Sequence, residues 1–248
     1  MSENQYFKFT NAVVIAPLLS VLLVWTVFLM ELRFRINLNE YGIYPMRLSG
    51  LRGIFLSPFI HGSVEHLYNN TIPLAVLMAA LFYFYRSIAL RVLCIGILVS
   101  GFFTWMIGRP SYHIGASGVI YFLASFMFFK GIFTKHYRLV ALSLIVVFIY
   151  GSMLWYIFPI EDGISWEGHL GGFLTGLGVA FTIKSKIPPR PKFDWEREDY
   201  DEDADAFLRQ FDAHGNFIEP PPEETEETSI KIHYHIKKTP GKPEQNDV

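Results

Sequence analysis

Cysteine is almost missing from this chain: Cys94 is the single thiol in 248 residues. One thiol closes no intrachain disulfide and builds no cysteine-based zinc site. Charge of one sign is also missing in excess. The net charge is −2, so no basic surplus points to nucleic acid. Acidic residues are absent from the long apolar runs, if Glu167 is counted with the connection that precedes the last run. The first ten residues are polar and aromatic, and the run after them is too long for the apolar core of a signal peptide, so none is expected.

What the chain does have is apolar and aromatic side chains, 51% and 17% of its residues. They are not spread as in a soluble core. They fall into runs of roughly 20 residues, the length of helix that spans a bilayer. We read six spans, at 11–30, 67–85, 88–108, 117–133, 139–158 and 166–183. The expected fold is an all-α membrane protein, a bundle of six transmembrane helices with a polar tail. Residues 1–10 form a short N-terminus and 11–185 the bundle. The long first connection, 31–66, mixes Arg33, Arg35, Arg47 and Arg52 with apolar residues, and reads as an interfacial element. Residues 186–248 are acidic and Pro/Glu-rich, which predicts a mostly disordered tail. Within it, "SIKIHYHIKK" alternates like a short strand that could bind a partner.

Lysine and arginine in short connections set orientation. Arg86 and Arg91 follow span 2, Lys130, Lys135 and Arg138 follow span 4, and Lys184, Lys186, Arg190 and Lys192 open the tail. The opposite connections carry only Arg109 after span 3, and Glu161, Asp162 and Glu167 after span 5. Both termini are therefore expected in the cytoplasm of a multi-pass membrane protein, the inner or plasma membrane if the cell is bacterial. Spans 2, 4 and 6 then all begin near the extracytoplasmic surface.

Polar side chains at membrane depth are functional candidates. They stand where those three spans begin: His61, His66 and Asn70 in "HGSVEHLYNN", Ser117 in "GASG", and His169 in "WEGHLGG". His66 and Asn70 are i,i+4 and share a helix face, as do Ser117 and Tyr121. Gly115 and Gly118 flank Ser117, and Gly172 and Gly176 form a G-x-x-x-G that lets helices approach closely. A serine hydroxyl needs a base to become a nucleophile, and histidine suits that task near neutral pH. An oxyanion needs donors, which His66, Asn70 and a helix N-terminus could supply. Without a carboxylate, a Ser–His dyad is the most these residues offer. Singly, each has a simpler reading: Ser117 as a packing residue and His169 as a bond to a neighbouring helix. Arg109 and His113 read as loop residues. His61, His66 and His169 could hold zinc, but no acidic ligand completes the set, so neither metal nor cofactor is expected. A transporter with a His-lined path would show internal repeats with broken helices, and none is visible.

"HGSVEHLYNN", "GASG" with Tyr121 four residues on, and "GHLGGFLTG" together resemble the rhomboid family of intramembrane serine proteases, in order, spacing and span number. The resemblance covers roughly residues 10–185. It implies Ser117 as nucleophile and His169 as general base. It implies an oxyanion hole of His66 and Asn70 with the Ser117 amide, and Tyr121 stacked on His169. It also implies substrates that are transmembrane proteins with small residues at the cleavage site. The first connection departs from the family in carrying "PMRLSGLRG" without a Trp-Arg pair. Oligomeric state is not legible.

Overall fold

The computed structural model describes residues 9–149, 155–184 and 193–219. Helices run over Asn11–Phe34 (α1), Gly53–Leu56 (α2), Val64–Phe84 (α3), Ala89–Ile107 (α4), Ser117–Phe133 (α5), Tyr137–Ile149 (α6) and Trp166–Thr182 (α7). Among the described residues there is no β-strand, only two isolated bridges. The chain divides into two compact units, residues 1–191 and 192–248.

In the first unit, α1, α3 and α4 are long and apolar enough to cross a membrane. α5 and α6 are apolar but shorter, and α7 has 17 residues. Backbone groups in lipid must be satisfied within the segment, which helices achieve. α1 is four residues longer than the apolar run predicts. It continues through Glu31, whose side chain is buried and accepts the Leu38 amide, and ends with Arg35 in a left-handed conformation. Residues 150–154 of the fifth apolar run lie outside the described residues. Trp155–Ile157, within that run, form a 3-10 turn where the run predicts continuous helix.

α5 is the centre of the unit. It packs against α3, α4, α6 and, most extensively, α7. Phe122, Leu123, Phe126 and Met127 are fully buried there. Lys130, expected in a connection, instead belongs to α5 and is buried. Its ammonium donates to the carbonyls of Ala180 (3.0 Å) and Ile183, at the end of α7. Those are orphan carbonyls of a helix C-terminus, where a cation is favoured. Lys130 is therefore a cap and not a loop charge.

The first connection is built of short helical turns, Asn39–Tyr41, Leu48–Arg52, α2 and Ser57–Phe59. Its backbone reaches the loop before α5. Ile43 and His113 exchange two hydrogen bonds, of 3.0 and 2.8 Å, and the Gly115 amide donates to the Ser57 carbonyl at 2.9 Å.

In the second unit, Asp194–Glu196, Glu202–Ala204 and Leu208–Gln210 form 3-10 turns, and Phe211 bridges to Phe217. Asp201, Asp205 and Asp212 accept nearby backbone amides, the local bonding that favours Asp in turns. The alternating segment 229–238 lies outside the described residues.

Candidate active site

Ser117 is the first residue of α5. Three of the four residues before it are fixed from outside the helix. His113 is bridged to Ile43 and Gly115 is bonded to Ser57. The Ala116 amide donates to His61 Nε2 at 3.3 Å. Gly115 has φ +108°, a conformation glycine adopts without strain. A Cβ there would also lie 2.6 Å from the ring of His66 and 3.8 Å from Asn70 Nδ2. His66 and Asn70, one turn apart on α3, therefore both reach the turn that presents Ser117. Asn70 is buried, and its amide donates to the His66 carbonyl at 3.0 Å. The rings of His61 and His66 meet edge to face, with centroids 5.0 Å apart.

His61 is 2% exposed, with Nε2 committed as an acceptor. Burial, and secondarily the neighbouring His66, lower its pKa from 6.5 to about 4. Burial likewise holds His113 below the usual histidine range. Both rings are neutral at physiological pH.

α7 starts at Trp166 and is capped by Ser165, whose hydroxyl accepts the Gly168 amide at 3.3 Å. His169 lies in its first turn and is buried. Gly172 and Gly176 allow the approach to α5. A Cβ on either would lie 2.2 Å from the Gly118 carbonyl or 2.5 Å from the Phe122 carbonyl. Across this seam, His169 Nε2 lies 2.9 Å from Ser117 Oγ. His169 Nδ1 lies 2.9 Å from the carbonyl oxygen of Tyr156. A carbonyl only accepts, so Nδ1 carries the ring proton and the Nε2 lone pair faces the serine hydroxyl. The Tyr121 ring stacks on the imidazole at 4.2 Å and 11°.

The orienting partner of His169 is thus a backbone oxygen, which side-chain patterns do not display. Glu167, expected in the connection, sits in the first turn of α7 and is fully buried. Successive residues two apart lie on nearly opposite sides of a helix, so Glu167 is no third member beside His169. It pairs with Arg109 (Nε to Oε1, 2.7 Å). Arg109 and His113, expected as plain loop residues, are both bonded into this region. A cavity of about 30 Å³ touches Ser117 and Gly118, with Thr104, His113 and Ser165 among its polar walls. That is room for a water molecule, which needs ~10–15 Å³ and two or more polar partners.

The described residues are helical, three of their helices are long and apolar enough to cross a membrane, and a half-buried serine meets a buried histidine where two helices begin, the features of an integral membrane protein with a polar centre. A family model, Rhomboid domain, matches residues 49–186, and the chain belongs to that family, whose members are generally serine intramembrane proteases. It is similar to uncharacterized proteins of Mycobacterium tuberculosis and Mycobacterium bovis, each 35% identical over 163 residues, 60% of this chain and 66% of the relative. An uncharacterized protein of Mycobacterium leprae is 31% identical over 172 residues, 66% of this chain and 68% of its own. The chain thus spans just under two thirds of the first of these relatives.

Proposed function

We propose that the chain is an intramembrane serine endopeptidase that cleaves transmembrane protein substrates near the extracytoplasmic surface. One observation carries the reading: a serine hydroxyl 2.9 Å from a histidine nitrogen whose ring proton is committed elsewhere. Residues 11–185 form the protease unit of six spans, with both termini and the acidic tail, 186–248, in the cytoplasm. α5, with 17 residues, is about 25 Å long, close to the thickness of the hydrocarbon core.

His169 Nε2 takes the Ser117 proton as Oγ attacks the scissile carbonyl carbon. The carbonyl π-electrons move to oxygen, and the oxyanion is met by the Ser117 amide, His66 and Asn70. The α5 N-terminus adds its dipole. Collapse expels the amine, which takes the proton from His169 and leaves an acyl-enzyme. A water then gives a proton to His169 as it attacks the ester carbonyl, and His169 returns that proton to Ser117 Oγ as the acyl C–O bond breaks and the acid leaves. The cavity beside Ser117 supports a water supply at that point. A substrate helix must unwind first, because its carbonyls are hydrogen-bonded and shielded. Tyr121 keeps the imidazole plane fixed, and His61 holds the Ala116 amide so that the turn before Ser117 keeps its shape.

The test is cleavage of a model single-span substrate by purified protein in detergent. Wild type should cleave, while Ser117→Ala and His169→Ala should both be inactive, since the pair acts as a unit. Equal cleavage by wild type and Ser117→Ala would refute the assignment.

A further inference from the structure

The loop that leads to Ser117 and the helix start that carries His169 are joined by a closed circuit of hydrogen bonds. On the α7 side stand Ile164, Ser165 and Glu167, and on the loop side Arg109 and His113. The Arg109 amide and Nε both donate to Glu167 Oε1, at 3.1 and 2.7 Å, and its Nη2 donates to the Ile164 carbonyl at 2.6 Å. His113 Nε2 lies 3.1 Å from the Arg109 carbonyl and Nδ1 lies 2.5 Å from Ser165 Oγ. The carbonyl forces the proton onto Nε2, so Nδ1 accepts from the Ser165 hydroxyl. That hydroxyl in turn accepts the Gly168 amide.

We infer that Arg109 and Glu167 are positioning residues for the Ser117–His169 pair. This rests on the reading of that pair as nucleophile and base. Glu167 is two residues before His169, and His113 is four before Ser117. Ser117 and His169 sit on different helices that otherwise touch along a seam of glycines. Small residues permit approach but do not fix the sliding of one helix start against the other. The circuit does fix it, at the end of the seam where the pair lies. Glu167 is fully buried, so its charge has to be answered within the protein, and Arg109 answers it while its side chain stays 42% exposed. The bond is bidentate in effect, through backbone and side chain of one residue, which sets direction as well as distance. A misplacement of about 1 Å between reacting groups costs on the order of 100-fold in rate, so a link that governs this registry acts on turnover more than on binding.

The experiment compares wild type, Ser117→Ala, Arg109→Ala, Arg109→Lys, Glu167→Ala, Glu167→Gln and the Arg109→Ala/Glu167→Ala double variant. The readouts are kcat and KM on a model transmembrane substrate, the rate of fluorophosphonate labelling, and thermal unfolding. The alanine variants should lose about tenfold or more in kcat and in labelling rate, with KM within about twofold. The double variant should be no slower than the worse single one, because either change opens the same link. Glu167→Gln and Arg109→Lys should fold, keep part of the circuit and lose about threefold or more. They decide the matter if the alanine variants do not fold. A merely structural role would lower the melting temperature and leave kcat and labelling rate per folded molecule unchanged. That result in an active wild type would overturn this inference alone. A wild type that neither cleaves nor labels would overturn the proposed function, and this inference with it.

Discussion

The Cα of Gly172 stands so close to the carbonyl of Gly118 that a methyl group on it would lie 2.2 Å from the oxygen. No rigid pair of backbones tolerates that contact, so a side chain at 172 must push α7 away from α5. Gly172→Ala is expected to destabilise the fold and to slow fluorophosphonate labelling of the molecules that remain folded. Gly178, on the same helix, has nothing within 4 Å of its Cβ position. Gly178→Ala should be neutral or stabilising by about 0.5–1 kcal/mol, through helix propensity alone. Equal effects at 172 and 178 in thermal unfolding would contradict the packing.

Gly115 combines φ +108° with a Cβ position 2.6 Å from the His66 ring. Gly115→Ala should therefore displace His66 as well as strain the turn, and kcat should fall far more than in Gly178→Ala. Cleavage kinetics on the folded fraction check this. Full activity in Gly115→Ala would show that His66 need not stay where it is.

His61 accepts the Ala116 amide only while neutral, and burial lowers its pKa from 6.5 to about 4. Between those values the unfolded chain binds more protons at this site than the folded one, so stability falls as pH drops through that window. Above about 6.5 the contribution is complete, and the shift corresponds to about 3 kcal/mol in all. Unfolding midpoints measured from pH 7 to pH 4 should decline, with a shallower slope in His61→Gln. The same slope in both proteins would contradict this account.

Lys130 donates to two carbonyls at the end of α7. Lys130→Met keeps much of the volume and leaves those carbonyls without their donor, at an expected cost of about 1–3 kcal/mol. The site lies at the other end of α5 from Ser117, so the labelling rate of folded protein should not change. A loss of labelling without a loss of stability would be the contrary result.

Much of the candidate site was legible because it is written in local spacing. His66 and Asn70 share a face of α3, Ser117 and Tyr121 share a face of α5, and Gly172 and Gly176 repeat at four residues along α7. Helical periodicity carries such information directly. The circuit of Arg109, His113, Ser165 and Glu167 was not legible, because it joins residues more than 50 positions apart through loops without a period. The partner of His169 Nδ1 was hidden for a different reason: it is the backbone of Tyr156, and any residue could provide it. Lys130 was misread because a cation near the end of an apolar run looks the same whether it faces water or caps a neighbouring helix. The first connection, apolar and rich in arginine, gave no sign that Ile43, Ser57 and His61 would all hold the turn before Ser117.

The most direct measurement is the site of covalent modification by a fluorophosphonate. The full chain in detergent is treated with the probe, digested and sequenced by mass spectrometry. The account predicts an adduct on Ser117, formed by the wild type and lost in His169→Ala, because the hydroxyl 2.9 Å from Nε2 is nucleophilic only with its base in place. A folded wild type that takes no adduct at Ser117, or that takes it equally without His169, would contradict it.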